Sequence, residues 1–87
     1  MKMIVAIVEN DRVEQVSRVL LTKEYRVTHL ASTRGFMREG VTTLMIGVED
    51  DRVEEALQVI RDQFPILNPD QIQATLYVLN VKNFTRI

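Results

Sequence analysis

The sequence predicts an α+β domain with the element order βαββαβ, and three observations carry that expectation. Short, β-branched apolar runs alternate with helical spacings of apolar residues. The heptapeptide Val8-Glu9-Asn10-Asp11-Arg12-Val13-Glu14 returns 40 residues later as Val48-Glu49-Asp50-Asp51-Arg52-Val53-Glu54. Each copy stands where a strand run gives way to a helical one. The chain therefore reads as two similar strand, helix, strand halves in one domain spanning residues 1–87. That is the ferredoxin-like arrangement, an antiparallel sheet with two helices on one face. Two copies at so long a period are too few for a solenoid.

Taken in order, residues 3–8 (Met-Ile-Val-Ala-Ile-Val) form a continuous apolar run of the kind found in strands buried on both faces. Glu9 and Asn10 close it. Asp11, three residues ahead of Glu14, has the spacing of a capping box with Asp in place of Ser or Thr, and opens a helix that ends near Lys23. Val13, Val16 and Leu20 share one stripe of that helix, with Arg12, Glu14, Gln15 and Arg18 outward. Residues 25–33 alternate loosely as a second strand. Arg34 to Gly40 reads as a loop, because the glycines at 35 and 40 permit backbone angles that other residues resist. Residues 41–48 form a third strand. Asp51 precedes Glu54 as Asp11 precedes Glu14, and Val53, Ala56, Leu57, Ile60 and Phe64 fall on one face of a second helix. Pro65, Asn68 and Pro69 terminate it. Residues 73–81 supply the fourth strand, followed by a short tail.

Two helices cover one face of a four-stranded sheet, and the other face of a monomer should then be polar at alternate positions. Here it is not. Ile4, Ala6 and Val8 oppose Met3, Val5 and Ile7; Leu44, Ile46 and Val48 oppose Met45; Tyr77, Leu79 and Val81 oppose Leu76 and Val78. An apolar face of that size exceeds what monomers usually expose, and its burial is worth several kcal/mol per subunit at roughly 25 cal/mol/Å². Association through the sheet is therefore expected. The competing reading is that the tail after Val81 folds across the open face.

Composition excludes a good deal. A chain of 87 residues buries only roughly 60 to 65% of its unfolded surface, leaving little stability for a deep catalytic cavity. The absence of Cys removes disulfides, thiolate metal sites and a cysteine nucleophile. A net charge of −1 gives no general attraction to nucleic acid or anionic lipid. The N-terminal apolar run is too short for a membrane span or signal core. The expectation is a soluble, cytoplasmic protein with no nucleic-acid or membrane partner.

Charge is nevertheless uneven. Lys23, Arg26, Arg34 and Arg38 against Glu24 make a local +3, so the rest of the chain carries −4. The guanidinium fork suits phosphate oxygens, and turn N–H groups add donors, so an anionic ligand near the loop competes with a plain solvated loop. Phe36 could stack on a ligand base or plug a subunit boundary. His29, the only His, has no second His or Cys and no nucleophile motif beside it. The cluster Glu49-Asp50-Asp51 reads as a helix start rather than a metal site, because its duplicate at Glu9-Asn10-Asp11 occupies the same kind of corner. Ser32 and Thr33 lack a base partner. No phosphate-binding loop, dinucleotide fingerprint or carboxylate pair is present, and no catalytic residue, metal or cofactor is assigned.

Residues 1–8, Tyr25-Arg26-Val27-Thr28-His29-Leu30-Ala31-Ser32-Thr33 followed by Gly35-Phe36-Met37-Arg38, Thr42-Thr43, Gly47-Val48 with Asp50-Asp51-Arg52-Val53, and Leu76-Tyr77-Val78-Leu79 with Phe84 form a recognisable set. Together they resemble the cyclic-di-AMP receptor family of PII-like signalling proteins. It implies a homotrimer whose sheets pack together in its core, with cyclic di-AMP bound in the clefts between subunits. It also implies a non-enzymatic role in signal transduction, with ligand state passed to a downstream protein that the sequence does not identify. By position, Arg26 and Thr28 would hold polar groups of the ligand. Gly35, Phe36 and Met37 would supply backbone donors and a ring against one adenine, and Gly47 would allow close approach.

Three departures stand out. The family usually has a second glycine where Arg34 stands, an Asn where Val41 stands, and a long loop where residues 63–72 form a short connection. Losing an amide that pairs with a buried ligand group costs about 1 to 3 kcal/mol, so nucleotide binding is expected to be weakened or altered. The alternative function is a trimer of the same fold that has lost the nucleotide and works as a protein-interaction module. A third, an enzyme acting on phosphate esters, has an Arg-rich loop in its favour but no accompanying acid, base or metal.

Overall fold

The computed structural model of the chain describes residues 1–32, 40–64, 73–82 and 85. Strand β1 (Lys2–Glu9) leads directly into helix α1 (Asn10–Thr22), and strands β2 (Arg26–Ser32) and β3 (Val41–Val48) follow. A single 3-10 turn (Asp50–Arg52), helix α2 (Val53–Arg61) and strand β4 (Ala74–Asn80) complete the order βαββαβ. The sheet runs β2-β3-β1-β4 and is antiparallel throughout. This small α+β architecture agrees with the ferredoxin-like arrangement expected from the repeat.

The two central strands are the runs with the most continuous apolar character, because a central strand is covered by neighbours on both edges and packed on its faces. Ile4, Ala6 and Val8 of β1 and Leu44, Ile46 and Val48 of β3 all lie on the helix side and are buried. Val16 and Leu20 of α1 and Ala56, Leu57 and Ile60 of α2 close the core over them. Phe64 packs against this core from beyond the end of α2 rather than from its last turn. The helix stops at Arg61 because the backbone tightens, with Gln63 N–H donating to Ile60 O and Phe64 N–H to Arg61 O. The expected role of Pro65, Asn68 and Pro69 in ending it falls outside the described residues.

Both capping boxes expected from the repeat are corrected. Helix α1 starts two residues earlier than the spacing suggests, with Glu9 at the N-cap and no side-chain cap hydrogen bond. Asp11 therefore lies inside the first turn, where its carboxylate faces the positive end of the helix dipole without closing a box. At the second corner Asp51 sits within the 3-10 turn, and Arg52 is at the N-cap of α2, again with no side-chain cap bond. Asn10 holds the first corner instead. Its N–H donates to Gly40 O at 3.1 Å, and its side-chain oxygen accepts from the hydroxyl of buried Thr42 at 2.5 Å.

The loose alternation of the second strand has a physical cause. A register irregularity between His29 and Ala31 breaks the period of two in β2. Arg26 and Thr28 stand opposite Gly47 and Met45, while Val27 and His29 stand opposite the core residues Ile46 and Leu44. Beyond the irregularity Ala31 pairs with Thr43.

Candidate functional site

The sheet face away from the helices carries the candidate site. Its rungs follow from the register. Arg26, Gly47, Met3 and Leu79 lie across one row, and Thr28, Met45, Val5 and Tyr77 across the next. Ile7, Thr43 and Thr75 continue the face. Met3, Val5, Ile7 and Met45 are only partly buried, and Tyr77 and Leu79 are half exposed. The face expected to be apolar on the basis of strand alternation is therefore apolar in three dimensions. Polar residues enter it as Arg26 and Thr28 at the β2 edge and as Thr43 and Thr75 at the far end.

Arg26 is exposed, and no carboxylate lies within ion-pair distance of it among the described residues. Thr28 is likewise exposed. Gly47 lies between Arg26 and Met3. Its φ is not positive, unlike that of Gly40 at 106°. A Cβ placed at Gly47 would meet Met1 Cε at 3.4 Å, which is ordinary van der Waals contact. Among the described residues neither backbone conformation nor packing requires a glycine there, and its bare backbone stands opposite the exposed Arg26. Three of the six expected ligand-binding positions, Arg26, Thr28 and Gly47, are thus brought together on adjacent strands. The other three, Gly35, Phe36 and Met37, lie outside the described residues, as do Arg34, Arg38 and Phe84. Val41, where the family commonly has Asn, pairs with Glu9 at the end of β3 nearest the loop.

Behind this row lies a cluster that the spacing of the sequence did not single out. Helix α1 ends in a Schellman turn: Glu24 N–H donates to Leu21 O at 2.9 Å and Tyr25 N–H to Leu20 O at 3.0 Å. The turn needs a left-handed residue, and Glu24 supplies it at φ 67° although it is not a glycine. Tyr25, the residue before Arg26, is buried, and its hydroxyl has no hydrogen-bond partner among the described residues. The Arg52 guanidinium lies 4.3 Å from the centre of the Tyr25 ring, donates through Nη2 to Lys23 O at 3.4 Å, and pairs through Nε with Glu55 at 3.5 Å. Burial raises the Tyr25 pKa above the ordinary tyrosine value; nearby Glu55 adds to this and Arg52 opposes it. The same corner holds Asp50, whose carboxylate receives the Met1 ammonium at 2.8 Å and is lowered by that hydrogen bond and charge. The available signal was the repeat itself, which places an Arg at the fifth position of both corners.

His29 does not join the site. It faces the helix side, with Nε2 3.3 Å from the hydroxyl of buried Ser17. Among the described residues no group of His, Cys, Asp and Glu is arranged to hold a metal ion, and no helix is long and apolar enough to cross a membrane.

Comparison with known proteins bears on the fold and the family. A solved structure described as a functionally unknown protein from Pediococcus pentosaceus ATCC 25745 is similar at 34% identity and a TM-score of 0.75, covering 99% of this chain and 96% of that one. The family model for the cyclic-di-AMP receptor matches residues 1–66. With most of its length matched by that model, including both strands that carry Arg26, Thr28 and Gly47, the chain belongs to the cyclic-di-AMP receptor family.

Proposed function

We propose that this protein is a non-enzymatic, PII-like signalling receptor of the cytoplasm. In this reading it binds a nucleotide, cyclic di-AMP by preference, in clefts between the subunits of a homotrimer. The observation that carries the reading is the row Arg26, Gly47, Met3, Leu79. It sets an exposed guanidinium, with no carboxylate partner among the described residues, beside a glycine that no described neighbour requires, at the β2 side of a largely apolar face that association would cover. A cleft formed at that edge would bring phosphate oxygens to Arg26 and Thr28, with the Arg fork able to meet two oxygens at once. The backbone at Gly47 would approach the ligand as no side-chain-bearing residue could. Gly35, Phe36 and Met37 would complete the cleft, a role that follows from the family alone. The unknown downstream protein would read the occupied state.

Titration calorimetry with cyclic di-AMP, cyclic di-GMP, ATP and AMP tests this. Heat with cyclic di-AMP that is lost in Arg26→Ala is the expected result, and no heat from any of the four at tens of micromolar would end the reading. The second reading, a trimer that has lost its nucleotide and acts as a protein-interaction module, is favoured by Arg34 and Val41 at positions where the family commonly has Gly and Asn. Partner capture that is indifferent to added nucleotide would favour it over the first.

A further inference from the structure

We infer that Arg52 is a positioning residue that fixes the entry of β2 and, through it, the placement of Arg26. The inference rests on the proposed receptor role for Arg26 but on geometry that involves only described residues.

β2 is an edge strand, hydrogen-bonded to β3 on one side alone. Its first residue, Arg26, is exposed and follows a turn whose left-handed residue is Glu24 rather than Gly. An edge strand entered through a strained turn tends to fray, and a long side chain at its first position would then sample many placements. Arg52 acts against both weaknesses at once. Its planar cation lies over the face of buried Tyr25, and its Nη2 donates to the carbonyl of Lys23, the C-cap residue of α1. One side chain from the β3–α2 corner thus grips the residues on both sides of the left-handed position. Glu55, one turn along α2, holds the Arg52 Nε and limits its rotamers. The register carries the effect to the site, because Arg26 stands opposite Gly47, three residues before the corner from which Arg52 projects. The corresponding Arg of the first corner, Arg12, makes a side-chain contact with Gln15 in the same relative position but has no aromatic ring beneath it among the described residues. The duplication therefore supplied the residue, and Tyr25 gave one copy its added task.

Two variants in the full-length protein test the inference. Arg52→Met keeps the aliphatic bulk and removes the cation and donors, and Arg52→Lys keeps a cation able to sit over the ring. Amide hydrogen exchange without ligand should show the Glu24 and Tyr25 amides of Arg52→Met exchanging about tenfold faster than in the parent, with β1 and β3 amides unchanged and Arg52→Lys recovering much of the protection. The dissociation constant of cyclic di-AMP should rise in parallel, by about tenfold in Arg52→Met. Equal exchange in parent and Arg52→Met would overturn the inference. So would acceleration shared by all strands, which marks ordinary destabilisation, or faster exchange at the turn with an unchanged dissociation constant. Absence of cyclic di-AMP binding by the parent protein itself would instead overturn the receptor reading and with it the link to ligand, while the exchange measurements still decide whether Arg52 holds the strand entry.

Discussion

Association through the open sheet face makes a quantitative prediction. Tyr77 and Leu79 are 52% and 51% exposed in the single subunit and stand at the β4 end of the two rows that carry Arg26 and Thr28. A tyrosine contributes about 150 to 250 Å² of surface, so covering its exposed half removes about 100 Å² from water, worth about 2.5 kcal/mol at 25 cal/mol/Å². The exposed half of a leucine adds about 1 kcal/mol. The double substitution Tyr77→Thr with Leu79→Thr preserves strand preference while removing most of that apolar surface. It should weaken association by about 3 kcal/mol per subunit, which is a factor of more than about a hundred. Because both side chains already face water in the single subunit, unfolding of the separated chain should shift by no more than about 1 kcal/mol. Sedimentation velocity over a concentration series reads the first quantity and urea denaturation the second. A parent protein that sediments as a monomer at tens of micromolar, or a double variant that associates as tightly as the parent, would refute the reasoning.

Other measurements probe single links in the chain of argument. Replacing Glu24 by Gly relieves a left-handed residue at the end of α1 at the cost of some unfolded-state entropy, and a net gain of about 0.5 kcal/mol in thermal or urea unfolding is expected; a loss would mean that the turn does not hold φ 67° in solution. The raised pKa of Tyr25 means that the folded state holds the phenol proton more tightly than the unfolded chain does, so its contribution is complete below the ordinary value of 10.0 and declines as pH rises through the folded-state value. Tyr25→Phe should accordingly flatten the alkaline fall in stability and, by deleting a buried hydroxyl that has no hydrogen-bond partner among the described residues, leave neutral-pH stability equal or slightly higher; an alkaline limb as steep as the parent's would count against this. Thr42→Val removes the hydroxyl that donates to Asn10 and should cost about 1 kcal/mol, with Thr42→Ser retaining most of it in urea titrations. Leu44→Ala, at a fully buried position of a central strand, should cost about 2 to 5 kcal/mol, and a smaller loss would mean that the core there is not closed.

Much of the architecture was legible because local periodicity and global topology agree. The apolar runs of β1 and β3 read as strands, and the repeated corner marked where each turned into a helix, while their central place in the sheet came from the structure. The faces of β1 and β3 also followed directly, because strand alternation is a property of the backbone. The face of β2 did not follow so simply. A single irregularity after His29 changes which residues look toward the helices, and no residue type there announces it. The capping assignments failed for a related reason: the spacing of Asp and Glu was right, but both helices entered at a different residue, and one of them through a 3-10 turn.

What the sequence by itself determined is the order of elements, the identity of the core stripes and the presence of a second apolar face, because each is written in periodicities that persist whatever the chain packs against. Only the tertiary structure decided that Arg26, Thr28 and Gly47 share neighbouring strands, that no described neighbour requires a glycine at 47, and that Arg52 reaches over Tyr25 to the turn before Arg26. Those are relations between residues about 20 or more positions apart, set by register and by the crossing of one corner over another, and no local pattern encodes such distances.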